Sequence, residues 1–265
     1  MCRRSIFALL VPLLLGACAD SSQTRPDRAR ISDDDMAAIS ASAFEQLKSK
    51  NQLSADYEAY SLVRCVSDHL VAELAETDRA LRWETVVFED ASALLYALPG
   101  GKLGVHRGLL QVTPEEAQLA AAIAHELGHI AQRHVAERVS AEFALEAAVA
   151  AAQTYRGKQG PEPSKKLYAL LGLGTQVGEI RPFSDAQELA ADSAGLRLLA
   201  RAGYPADAAP ALWQTLAEQA SAQTASWLAS HPQPARRANA LRLQLAAVRP
   251  EEEAAQAAGR QPHCR

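Results

Sequence analysis

His125 and His129 stand four residues apart, with Glu126 beside the first, in the stretch AHELGHIAQRH. On a helix, positions i and i+4 lie one turn apart on the same face, so both imidazoles can grip a single metal ion. The Glu126 carboxylate can then meet a water on that ion and take its proton. In a chain with 7 histidines, an accidental match to this spacing is on the order of one in eighty. The rival reading is a pair of surface histidines. Against it, Ile123, Ala124, Leu127, Ile130 and Ala131 around the pair are apolar, as in a buried stretch. Gly128 costs a helix on the order of 1 kcal/mol relative to alanine. A close approach by another element would account for it.

A zinc ion used in catalysis needs a third protein ligand and one open position. His134 lies five residues after His129, off the ligand face, and reads as structural. Glu188 is the better candidate. It lies in QELAAD, where Asp192 follows four residues later on the same helix face. Two carboxylates facing alanine and leucine are costly to bury unless something compensates them. A metal ion compensates one, and the second nitrogen of a ligand histidine compensates the other. On spacing alone, an exposed acidic face is an equal reading.

The elements around these groups predict a mostly helical α+β domain with a small β-sheet beside the histidine-bearing helix. Aromatic residues are only 5% and alanine is abundant, which favours helix. Two amphipathic helical patterns fill residues 32–78, the first opened by the cap Ser-Asp-Asp-Asp. In the core, residues 79–249, WETVVFED (83–90) reads as a strand. SALLYALPGGKLGVHRGLLQV (92–112) reads as two more strands around the turn Pro99-Gly100-Gly101. Thr113 and Pro114 cap a helix over 118–138 that carries the paired histidines and could run on towards Ala152. Residues 155–184 hold five glycines and three prolines and read as a loop, either a lid or an inert insertion. A helix follows from Asp185 to Gly203, another from Pro205 to Glu218, and a last one over 234–248, leaving 250–265 as a loose tail.

The first residues, MCRRSIFALLVPLLLGAC, join two arginines to a short apolar run. The run is too short to span a bilayer and suits a secretory leader over 1–17. Leu15-Gly16-Ala17-Cys18 resembles a bacterial lipobox, which implies acylation of Cys18 and a polar tether over 18–31. Plain cleavage beside an incidental Cys18 is the alternative. Export would leave Cys65 and Cys264, which in an oxidising compartment form one disulfide or remain two unrelated thiols. The net charge is −4; no basic face is evident, which argues against nucleic acid as a partner.

His-Glu-Leu-Gly-His followed by Glu188-x-x-x-Asp192 resembles the gluzincin metallopeptidases that include the CAAX prenyl proteases and the HtpX, Oma and BepA/LoiP types. ALPGGKLGVHRGLL, ARAGYPADAAPALW and Ser230-His231-Pro232 with Arg237 are further points of similarity. Leu94-Leu95-Tyr96 departs from the Asn-Ala-Phe usual in the family, and Ala190 stands where an acid is common. The lipobox makes the lipoprotein members the nearest group. The resemblance implies one Zn2+ per chain held by His125, His129 and Glu188, with Asp192 behind a ligand. It implies Glu126 as general base, and His231 or Arg237 as donor to the developing oxyanion. An edge strand near 92–98 would bind substrate backbone. The implied function is an endopeptidase on misfolded or stalled envelope proteins, anchored by lipid in the periplasm, at the outer membrane by the residue following Cys18. The alternative is a non-catalytic or latent zinc lipoprotein that assists outer-membrane assembly.

Overall fold

The computed structural model describes residues 31–142, 166, 169–173, 181–218, 221 and 223–265. The fold is α+β and mostly helical, with a three-stranded sheet. In chain order the elements are α1 (Asp33–Lys50), α2 (Tyr57–Val71), α3 (Glu76–Arg79), β1 (Glu84–Phe88), β2 (Leu95–Leu98), β3 (Lys102–His106), α4 (Arg107–Val112) and α5 (Glu116–Ala131). After a helical stretch over 134–142 come α6 (Asp185–Arg201), α7 (Ala208–Glu218), α8 (Ala225–Ser230), α9 (Pro234–Arg242) and α10 (Leu245–Ala257). Among the described residues, no helix is long and apolar enough to cross a membrane. The leader, the lipobox and most of the 155–184 segment lie outside the described residues.

Local signals start the helices. Ser32 accepts from the Asp35 backbone N–H, and three aspartates fill the first turn of α1. Asp56 caps α2 in the same way. Ser184 and Gln187 form a reciprocal capping box at the start of α6.

The sheet has the order β1-β3-β2, with β1 parallel and β2 antiparallel to β3. The outer edge of β1 is taken up by residues 52–54: Ser54 donates to the Val87 carbonyl and Glu89 donates to Gln52. The other edge strand, β2, alternates between two cores, as strand geometry requires. Leu95 and Ala97 face a cluster built from α2, α5, α6 and α7. Leu94, Tyr96 and Leu98 face a second cluster with Met36 and Phe44 of α1, Leu170 and Phe183. Every residue of β2 is buried.

Several expectations need correction. GLLQV is not strand: β3 stops at His106, and Arg107–Val112 form α4, whose Gly108 packs so tightly on the Ala91 carbonyl that no Cβ would fit there. Thr113 does not cap α5. Its hydroxyl instead bonds Leu109 at the end of α4, and Glu115 is the N-cap. The histidine helix does not run through 138. It ends at Ala131, and Arg133 adopts φ 58 before the chain becomes helical again. The segment after Pro205 turns helical at Ala208, and residues 234–248 form parts of two helices. The expected loose tail is helical through Ala257 despite Pro250. Tertiary anchors overrule the proline: Val248 and Ala255 are buried, and Glu252 accepts from the Ala206 N–H.

Candidate metal centre and active site

Helix α5 is buried without a break from Leu119 to Ile130. A helix buried all round leaves no solvent for its polar groups, so His125, Glu126 and His129 must find partners inside. Helix α6 supplies them by crossing at very short range. A Cβ on Gly128 would stand 2.3 Å from the Ala191 carbonyl oxygen, and one on Gly195 would stand 2.7 Å from the Ala124 oxygen. These are backbone obstacles, so both positions require glycine. The sequence reading anticipated a close approach at Gly128; Gly195, its counterpart on α6, completes it.

This approach sets Glu188 and Asp192 against the two imidazoles. Nε2 of His125 and Nε2 of His129 are 3.1 Å apart. Glu188 lies 3.5 Å from the first and 3.7 Å from the second. His231, from the turn before α9, brings Nδ1 to 3.1 Å from Glu188 and 3.4 Å from His125. All four donor atoms lie within 4.8 Å of one another and all four residues are buried. In a tetrahedral site with bonds of about 2.0–2.1 Å, ligand atoms are spaced about 3.3–3.4 Å apart. The observed spacing brackets that value, so the donor set fits a metal ion. On its other side, His231 places Nε2 3.1 Å from Oε1 of Glu126. That oxygen is buried, and His231 is its ion-pair partner.

Behind the donors lies a charged layer. Asp192 Oδ1 is 3.0 Å from Nδ1 of His125. Arg237 donates through Nε and a terminal nitrogen to Asp192, at 2.8 and 2.7 Å, and reaches Glu188 at 2.6 Å. Its guanidinium also stacks 3.5 Å above the Trp213 ring. Arg237 is therefore paired with two carboxylates. Behind His129 the layer is neutral. His134 Nδ1 is 3.0 Å from Nδ1 of His129, and Phe183 stacks on the His129 ring with centroids 4.1 Å apart. Sequence reasoning set His134 aside because it lies off the α5 face. The turn at Arg133 carries it back.

Electrostatics follow the geometry. Burial alone would raise Glu188, but His231, His125 and Arg237 hold its carboxyl well below the usual range. Burial would also raise Asp192, yet Arg237 and His125 hold it near 2. Burial pulls His129 down, whereas in His231 the Glu188 and Glu126 carboxylates outweigh burial and lift it to about 9. The pocket in front of Glu126 and His231, bordered by Leu95, Tyr96 and Ala97 of β2, encloses about 20 Å³. That is room for one water and not for a peptide.

Cys65 on α2 and Cys264 are bonded, with Cα atoms 5.7 Å apart and a sequence separation of 199. Glu116 at the start of α5 accepts from the Cys264 backbone N–H, so the bridged end is tied to the base of the histidine helix.

A mainly helical α+β frame with His-Glu-x-x-His on one helix, and Glu-x-x-x-Asp on a second, defines a metallopeptidase. The chain belongs to peptidase family M48, whose profile matches residues 36–244. It is similar to the mitochondrial metalloendopeptidase OMA1 of Arabidopsis thaliana, 28% identical over 228 residues, or 86% of this chain and 43% of that protein. It is also similar to OMA1 of Schizosaccharomyces pombe, 32% over 154 residues covering 57% of this chain and 43% of that one. With the beta-barrel assembly-enhancing protease of Escherichia coli K12 it shares 31% over 165 residues, 58% of this chain and 33% of that one. The chain thus spans less than half the length of these relatives.

Proposed function

We propose that the protein is a zinc endopeptidase of the bacterial envelope. The observation that supports this most is the buried set of three imidazoles and one carboxylate with Glu126 beside it. A mixed nitrogen and oxygen donor set, without thiolates, suits zinc. His125, His129 and Glu188 would hold the ion, which would supply Lewis acidity at the scissile carbonyl. Glu126 takes the proton of the attacking water on a carboxylate oxygen and returns it to the leaving amine. Arg237 and Asp192 are positioning residues: they hold Glu188 and His125 in place from behind. The β2 edge, which borders the pocket, would receive substrate backbone as an added strand.

His231 supports a resting state. With Nδ1 among the donors and Nε2 beside Glu126, its imidazole fills the place where water would be activated. Opening then requires the segment around His231 to move, after which Nε2 is available to the oxyanion.

Localisation and substrates extend the same reading. Residues 1–17 would be a leader and Cys18 a lipid-bearing residue, placing the domain in the periplasm at the outer membrane. Misfolded or stalled envelope proteins would be its substrates, a class consistent with the name of the assembly-enhancing relative. Cys18→Ser should release the protein or misprocess it; continued detergent-dependent membrane association would remove the anchor.

The central test is digestion of casein or an unfolded envelope protein by the zinc-loaded chain. Glu126→Gln should keep about one zinc per chain and lose at least about 100-fold in turnover, since only the proton acceptor is gone. Undiminished proteolysis in that variant would reject the assignment. Glu188→Ala should lose the metal itself. A chain that holds zinc but never cleaves, opened or not, would instead be a non-catalytic assembly factor.

A further inference from the structure

We infer that His134 is a positioning residue for the metal centre: its Nδ1 accepts the Nδ1–H of His129 and fixes the tautomer and ring angle at which His129 presents Nε2. The inference rests on His129 being a metal ligand.

The argument starts at the front of the ring. His129 turns Nε2 towards His125 Nε2 at 3.1 Å and Glu188 at 3.7 Å. If that nitrogen gives its lone pair to a metal, the neutral ring carries its proton on Nδ1. A buried N–H needs an acceptor. The atom in place is Nδ1 of His134, at 3.0 Å. It can accept only if His134 carries its own proton on Nε2 and is neutral. Burial favours the neutral ring: His134 is 5% exposed. The two rings meet edge to face, with centroids 5.1 Å apart and planes at 70°. In that arrangement one ring's edge nitrogen can address the other's without the faces competing.

The backbone is bent to achieve this contact. Position i+5 on a continuous helix lies well off the face of position i. Here α5 ends at Ala131 and Arg133 takes φ 58, a left-handed conformation that costs a non-glycine residue roughly 1–2 kcal/mol. The turn is held by Arg133 N–H to Ile130, by Glu137 N–H to Arg133, and by an ion pair between Arg133 and Asp33 of α1. A histidine serving only as filler would not require that reversal, nor a nitrogen aimed at a nitrogen.

The test compares three substitutions in the full-length chain, reading the zinc dissociation constant by competition with a chromogenic chelator. His134→Phe keeps a buried ring and removes the acceptor; it should weaken zinc binding about 10–100-fold. His134→Asn offers an amide oxygen near the position of Nδ1 and should stay within about threefold of the parent. His129→Ala should abolish tight binding. Thermal unfolding of the zinc-free proteins separates metal affinity from folding. Should His134→Phe not fold, His134→Ala is read in its place. A Phe or Ala variant with parental affinity, or an Asn variant as weak as Phe, overturns the inference. Full affinity in His129→Ala would overturn the ligand assignment beneath it.

Discussion

His125 and His129 are one turn apart on one helix, equally buried, and backed by opposite chemistry. Behind His125 stands an anion, Asp192, itself clamped by the forked guanidinium of Arg237 over Trp213. Behind His129 stand a neutral imidazole and a stacked phenyl ring. An anionic acceptor raises the basicity of the imidazole more than a neutral one. It also brings a buried charge that has to be paired completely, because a half-satisfied buried network is worse than an apolar core. The charged side accordingly draws on α5, α6, α7 and α9. The neutral side needs a turn at Arg133, paired with Asp33 of α1, and one residue from the segment before α6. A single pair of ligands is thus held by one expensive, charged support and one cheaper, neutral one.

The largest effect should come from removing the cation of the expensive side. Arg237→Met leaves Glu188 and Asp192 buried without their shared partner. Breaking such a pair costs about 3–5 kcal/mol, read as a lower urea midpoint in the zinc-free protein. Arg237→Lys should recover only part of it, since lysine has neither the fork nor the stacking plane. A parental midpoint for Arg237→Met would break the comparison outright. Next, Gly195→Ala should harm both sides at once. Its Cβ would push on the Ala124 backbone next to His125, and overpacking of that kind costs typically 1–3 kcal/mol. Loss of zinc affinity should accompany it, because the α5–α6 distance sets where Glu188 stands. Asp192→Asn is narrower. It keeps the shape and removes the charge, so zinc affinity should fall about 10-fold or more while His134→Asn stays near the parent. Equal losses in the two asparagine variants would mean that charge behind the ligand does not matter.

The expensive side was largely legible in the sequence. His125 and His129 share a face by i, i+4 spacing, as Glu188 and Asp192 do, but for the two acids the spacing alone allowed an exposed face equally, and the family resemblance singled them out. The Cys65–Cys264 pair was one of two readings open for the cysteines that export would leave, and the close approach at Gly128 followed from the cost of glycine in a helix. The cheap side was not. His134 becomes a neighbour of His129 only because Arg133 adopts a left-handed conformation, and arginine carries no signal for that. Phe183 lies 54 positions from its stacking partner with no periodicity linking them. The pairing of Arg237 with Asp192 and Glu188 was not legible, since spacing in a motif says nothing about the direction of a long side chain. The same limit explains α4 and α10. GLLQV has a strand's composition and Pro250 a helix breaker's, and in both cases contacts from distant residues decided the outcome.

The smallest effect sharpens the comparison with a third buried histidine. His106, at the end of β3, is 2% exposed and has Ser92 Oγ at 2.9 Å from Nδ1, with Asp90 at 3.4 Å. Its surroundings resemble the charged backing of His125, but it is not among the grouped metal donors. Burial lowers its pKa below 6.5, and Asp90 only partly offsets this. The unfolded chain therefore binds a proton at a pH where the folded one does not. The stability His106 contributes as a neutral ring is fully present above pH 6.5 and is lost as pH falls through its lowered folded value. In zinc-free protein, the urea stability of the parent should decline more steeply below pH 6.5 than that of His106→Gln. The difference in slope should not exceed about 1.4 kcal/mol per pH unit, the limit for one proton. Parallel pH profiles would show that Asp90 compensates the buried ring in full. A single weakly held carboxylate would then support an imidazole as well as the Asp192–Arg237 pair does, and the cost assigned to the charged side of the metal centre would have to come from Arg237 alone.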